Sequence, residues 1–182
     1  MIKNVISTSY VELEGTIIIA PPNKTKKHES QADWKRVAMI TFPGSEIAEF
    51  YSYLLYKKYN IKLNKPLRNS HITIINSNYL KESTLPDKDK ELAWKKFEKD
   101  YNNKKIKIIL DISKFYTNGN HYWLIIPHEH RNFIYNIRAE IGLEKPFFGL
   151  HLTLGIINEY NKVQSDYIIN LSKKEFSDII FI

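Results

Sequence analysis

The chain contains no cysteine. Disulfide frameworks, thiolate zinc sites and cysteine nucleophiles are therefore excluded. Long apolar runs are also missing. The longest are a handful of residues, against the ~20 that span a bilayer. The opening stretch, MIKNVISTSYVELEG, has no continuous apolar segment of the secretory kind. A cytoplasmic protein with no membrane partner is the expectation. There is no long basic tract and no RGG-like tail, which argues against a large RNA partner.

What is present suits one domain. The 182 residues are 43% hydrophobic and 13% aromatic, enough for a real core. We take residues 1–182 as a single domain. The formal charge is +7 and the pI about 9.3. Such a balance favours anionic partners such as nucleotides, nucleic acid or anionic membranes, or else marks a lysine-rich solvated surface.

Residues 16–20, TIIIA, predict a strand closed by Pro21-Pro22, and 23–36 a polar loop. VAMITF at 37–42 predicts a strand stopped by Pro43-Gly44. Ser45 is placed to cap a helix over 46–59, with Ile47, Phe50, Leu54 and Tyr59 at helical spacing and Asn60 at its end. Within 77–104, Trp94, Phe97 and Tyr101 fall on one side of an amphipathic helix, where core packing explains them better than base stacking. KIKIILDI at 105–112 alternates as a strand does, and Asn118-Gly119 signals a turn. HYWLIIP at 121–127 reads as a strand, and 129–141 as a helix with Phe133, Ile134, Ile137 and Ile141 on one face and Gly142 at its end. The tail FSDIIFI reads as a final strand.

Two stretches share a pattern. SHITIIN and LHLTLGI each hold histidine, an apolar residue, threonine and another apolar residue. With six histidines in the chain, two such tetrapeptides by chance are expected on the order of 1% of the time. Their contexts also match: VAMITFP, helix, SHITII, then HYWLIIP, helix, LHLTLG. Met39 precedes His71 by 32 residues and Tyr122 precedes His151 by 29. A β-α-β unit used twice predicts a pseudo-symmetric, bilobal domain.

On a strand, residues i and i+2 share a face, ~6.6 Å apart. His71 and Thr73 therefore point one way, with Ile72 and Ile74 toward the core. His151 and Thr153 do the same in front of Leu152 and Leu154. Two imidazoles across a cleft supply a general base and a general acid near neutral pH. Two threonine hydroxyls can donate to phosphate oxygens. That set suits phosphodiester chemistry on RNA-like substrates and needs no metal or cofactor. The remaining histidines point less clearly to a site. His28 lies in the charged loop. His128-Glu129-His130 has no evident third ligand, so no metal site is expected there. His121 begins a strand on the same side as Trp123.

The two motifs as they stand resemble the 2H phosphoesterase superfamily, over roughly residues 37–157. The resemblance is strongest to the phage nucleases that destroy cyclic oligonucleotide signals of CBASS immunity, through IKLNKP, YWLII, IRAEIGL and FFGLHLTLG. It departs where Arg68-Asn69-Ser70 precedes the first histidine, and in the extra length at 21–36 and 77–104. The resemblance implies an α+β fold of two β-α-β lobes with mostly antiparallel sheets around a central cleft, the lobes joined through about 77–120. It implies that His71 and His151 are catalytic and that Thr73 and Thr153 bind phosphate. The substrate would be a cyclic di- or trinucleotide with 3′-5′ bonds, and the setting a host-cell cytoplasm if the chain is phage-encoded.

A nucleotide site needs an aromatic to stack on a base. Trp123 is the first choice, on the cleft side with His121, and Tyr122 the second. Two other readings stand beside this one. A 2′,3′-cyclic phosphodiesterase acting on RNA ends would use the same residues. A nucleotide-binding module without turnover would not need both motifs intact.

Overall fold

The computed structural model describes residues 4–7, 10–22, 34–64, 69–76, 78–146, 149–157 and 167–170. Within them the protein is α+β. Nine strands form one curled sheet in which every pairing is antiparallel. The strands are β1 (Asn4–Ser7), β2 (Tyr10–Ile19), β3 (Ala38–Thr41), β4 (His71–Ile75), β5 (Lys105–Asp111), β6 (Lys114–Thr117), β7 (His121–Ile125), β8 (His151–Ile156) and β9 (Tyr167–Asn170). The order runs β1-β2-β3-β4-β8-β7-β6-β9, with β5 on β2. Tyr10–Glu12 pair with β1 and β5 at once, so those two strands lie on opposite edges of β2. Only Ile112 and Ser113 separate β5 from β6, although the two strands lie far apart in the sheet order. Three Cα–Cα steps from Asp111 to Lys114 span ~11 Å at most, so the sheet has to curl back on itself.

The helices are α1 (Glu46–Tyr59), the single turn α2 (Tyr79–Glu82), α3 (Asp87–Tyr101) and α4 (His128–Ala139). α1 has the bounds its periodicity predicts. Asn60 ends it in the left-handed region (φ 54°) and donates its N–H to the Tyr56 carbonyl. Ser45 occupies the N-cap position, although its side chain makes no capping bond. The buried face is Ile47, Ala48, Tyr51, Leu54 and Leu55, whereas Phe50 and Tyr59 pack only at its margin. Tyr51 crosses to the sheet, where its hydroxyl donates to the Ile112 carbonyl (2.6 Å) and its ring meets Phe115 edge-on.

The lysine-rich stretch holds two helices: α2 ends at Ser83, whose backbone is extended (ψ 128°), and Pro86 takes the N-cap position of α3. Tyr79, Trp94, Phe97 and Tyr101 form a chain of tilted rings, each about 5 Å from the next. Trp94 and Phe97 are in the core, as the helical stripe predicts. On α4, Ile134 and Ile137 are buried, with Ile141 just beyond the helix, and Gly142 follows at φ 71°. Phe133 differs from the expectation. It is 39% exposed, because the apolar stripe of this helix is narrower than its sequence suggests.

β2 is longer than TIIIA. Val11, Leu13, Ile17 and Ile19 face the core while Glu12 and Glu14 face outward and pair with Lys107 and Lys105 of β5. The short strands β1, β6 and β9 have no counterpart in the sequence expectations. The expected strand at 176–182, His28, most of the 23–36 loop, and the Lys65-Pro66 and Phe147-Phe148 pairs of the resembling stretches lie outside the described residues.

Candidate functional site

The two histidine-bearing strands are neighbours. β4 and β8 pair at Ile72–Leu152, two fully buried residues that join the halves of the sheet. Extending that antiparallel register one residue each way sets His71 beside Thr153 and Thr73 beside His151. The two motifs therefore run head to tail on neighbouring strands. All four side chains are on the face opposite Ile72, Ile74, Leu152 and Leu154, which are buried beneath the helices.

The outer partners repeat as well. Thr41 faces His71 and Met39 faces Thr73 on one side, while Ile125 faces His151 and Trp123 faces Thr153 on the other. Both ladders then slip by one residue at the same place, between Ala38 and Met39 and between Tyr122 and Trp123. Phe42 donates its N–H to Ser70, and Ile126 to Leu150. The pairing thus equates Met39 with Trp123. That corrects the sequence alignment of Met39 with Tyr122 by one residue, a shift that exchanges the two faces of the strand.

The imidazoles are anchored alike. His71 Nδ1 lies 2.9 Å from the Asn69 carbonyl and His151 Nδ1 lies 3.3 Å from the Gly149 carbonyl, each two residues upstream. A carbonyl only accepts, so Nδ1 carries the proton in each ring and Nε2 of the neutral form holds the lone pair. At Gly149 the backbone is left-handed (φ 66°), a conformation that costs any other residue energy. Burial lowers the His151 pKa below its ordinary value; the bond to Gly149 opposes this and the charge of His121 adds to it. Among the described residues, neither the Thr73 nor the Thr153 hydroxyl has a hydrogen-bond partner, so both remain available to a ligand.

Of the two aromatic candidates, the structure places Trp123 on the site face and Tyr122 in the core. Tyr122 is only 4% exposed, and its ring packs 5.9 Å from Phe115. Strand alternation forces that outcome once Leu124 and Ile126 face inward, and it leaves the Tyr122 ring no open face on the site side. The half-buried Trp123 meets His151 edge-on at 6.3 Å between ring centres. It also stacks nearly parallel on Tyr116, at 6.5 Å and 17°. Tyr116 is a site-face residue that the sequence expectations lack. Its signal is the alternation of KFYT, with Phe115 and Thr117 buried and Tyr116 between them. One row across the sheet thus reads Thr41, His71, Thr153, Trp123 and Tyr116. The next reads Met39, Thr73, His151 and Ile125.

Gly155 ends the second motif for a steric reason. A Cβ there would lie 2.8 Å from the Asn64 carbonyl and 3.0 Å from Leu63 Cβ. Asn64 completes the end of β8, exchanging backbone hydrogen bonds with Ile156. On the other side, past Thr73 and His151, a cleft of about 650 Å³ opens, with Asn76, Arg138 and Lys145 along its walls. Among the described residues, no three His, Asp or Glu side chains converge as a metal cluster. No described helix is long and apolar enough to cross a membrane. Comparison with protein-family models, with curated proteins and with solved structures finds no match to this chain.

Proposed function

We propose that the chain is a phosphodiesterase of the 2H phosphoesterase type, with its two β-α-β units as the lobes of that fold. In this reading it cleaves 3′-5′ bonds of cyclic oligonucleotide second messengers, without a metal, and so counters CBASS-type signalling. The observation that carries the reading is the interlocked pair of motifs. Each imidazole is held through Nδ1 by a carbonyl two residues upstream, and the two motifs run head to tail about the Ile72–Leu152 pair. Core packing alone would not call for two matched polar pairs on a half-buried face.

His151, kept neutral by burial, suits the base. Its Nε2 takes the proton of a ribose 2′-OH, whose oxygen attacks the adjacent phosphorus. The 5′ oxygen leaves with a proton from the His71 imidazolium, giving a 2′,3′-cyclic phosphate and a free 5′-OH. Thr73 and Thr153 donate to the non-bridging oxygens, and the Trp123–Tyr116 pair offers a base a stacking surface.

The test is incubation with cyclic dinucleotides, cyclic trinucleotides and RNA with a 2′,3′-cyclic end, all in EDTA. Linearised cyclic oligonucleotides are expected. Cleavage confined to the RNA ends would favour the 2′,3′-cyclic phosphodiesterase reading. Binding without turnover would favour a nucleotide-binding module. Efficient cleavage of a substrate with 2′-deoxyribose at the scissile bond would make water the nucleophile.

A further inference from the structure

We propose that Arg138 is an anion-binding residue of the cleft, holding a second phosphate of the substrate while the first lies between the histidines. The inference rests on the cyclic-oligonucleotide reading and narrows it to substrates with at least two phosphates.

Arg138 lies in the last turn of α4 and is only 5% exposed, yet it lines the cleft that Thr73 and His151 also line. Its Nη1 donates to the Ile74 carbonyl, while Nε and Nη2 donate to the Glu144 carbonyl at 2.9 and 2.7 Å. The strands explain this position. β4 and β8 share a single pair at Ile72–Leu152, and the guanidinium then takes a carbonyl that β8 leaves unpaired. The equivalent gap at the far end of β8 is closed by the Asn64 backbone. One side of the site is thus sealed by peptide and the other is lined by a cation.

The three carbonyl contacts fix the fork but do not neutralise it. Among the described residues, no carboxylate forms an ion pair with Arg138. Glu82 influences it from a distance, but that side chain is exposed and accepts from Asn76 Nδ2 at 3.3 Å. Glu144 is exposed too. Exposed carboxylates are hydrated and screened, whereas a buried cation without a counter-charge is costly unless an anion arrives. One N–H on each of Nη1 and Nη2 remains for that anion. Ile74 directly follows Thr73, so the carbonyl that the fork grips is one residue step, ~3.3 Å along the strand, from a threonine of the site. A nucleoside 2′,3′-cyclic phosphate has one phosphate and would leave the fork unused. A cyclic di- or trinucleotide supplies another. An Arg138 that only caps the C-terminal end of α4 would affect stability and not choose between these ligands.

The experiment measures binding by calorimetry in the inactive His71→Ala/His151→Ala background, with and without Arg138→Gln or Arg138→Lys. The probes are a cyclic dinucleotide, a nucleoside 2′,3′-cyclic monophosphate and inorganic pyrophosphate. Arg138→Gln should weaken the cyclic dinucleotide about 10- to 100-fold, leave the monophosphate within about threefold, and abolish pyrophosphate binding. Arg138→Lys keeps the charge without the fork and should fall between; it decides the matter if Arg138→Gln does not fold. Equal weakening of both nucleotides, or pyrophosphate binding that survives Arg138→Gln, would overturn the proposal. If the parent binds pyrophosphate through Arg138 but no cyclic dinucleotide, the anion site stands and the cyclic-oligonucleotide reading falls.

Discussion

His151→Asn separates the chemistry of the second histidine from its structural role. Asparagine places its amide nitrogen near the position of Nδ1, so donation to the Gly149 carbonyl, 3.3 Å away, can persist. What it removes is Nε2 and the edge contact with Trp123, 6.3 Å between centres. An aromatic contact of that kind is worth ~0.5–1.5 kcal/mol. At about 2–4 °C per kcal/mol for a chain of this size, the melting temperature should fall by only a few degrees. The loss in rate should be far larger. Removing a positioned general base costs about 10²–10⁴-fold, or ~3–5 kcal/mol of barrier. Single-turnover cleavage of a saturating cyclic dinucleotide reads that step directly. Adding His71→Ala should cost little more than the worse single change, because the two imidazoles act as one unit. A folded His151→Asn protein with kcat within tenfold of wild type would refute the role given to Nε2.

The remaining predictions concern the surroundings of that ring. Because burial lowers the His151 pKa, one limb of the bell-shaped kcat/KM profile should lie below pH 6.5, and Trp123→Ala, which uncovers the ring, should move that limb toward the ordinary histidine value. The sign for stability follows. The folded state resists protonating His151, so stability is full above about pH 6.5 and declines as pH falls through the lowered pKa, a dependence that His151→Asn should remove in pH-resolved melting curves. Thr73→Ala and Thr153→Ala should each slow turnover by about 10- to 100-fold, less than the histidine changes, and Thr→Ser should be milder; full kcat/KM in both alanine variants would place the phosphate elsewhere. Gly155→Ala should cost about 1–3 kcal/mol in denaturant titrations, since its Cβ would meet the Asn64 carbonyl at 2.8 Å. An unchanged midpoint would show that the 61–64 segment yields easily.

Local order in this chain was legible wherever one period dominated. Helix α1 follows from the spacing of Ile47 and Leu54 and from Asn60 at its end, and β4 and β8 from alternation about Ile72 and Leu152. The start of α3 after Pro86 was equally open to a local reading. Strand β2 shows the limit: Val11 and Leu13 alternate with glutamates, so only a period-two count, and not apolar density, reveals its first half. The polar pair on each strand, His71 with Thr73 and His151 with Thr153, is likewise a local fact.

What joins those pairs is not local. The two motifs share one stretch of sheet because Ile72 pairs with Leu152, and nothing in either tetrapeptide specifies a pairing eighty residues away. Strand alternation already favoured Trp123 over Tyr122 for the site face, but only the pairing of β6 with β7 set Tyr116 beside it. The lowered pKa of His151 comes from burial by neighbours distant in sequence. The place of Arg138, with no carboxylate among the described residues in an ion pair with it, depends on an Ile74 carbonyl distant in sequence. Periodicity records which face a residue takes. Tertiary packing decides which faces meet, how dry they become and which charges lack a partner, and so it decides the chemistry of the cleft.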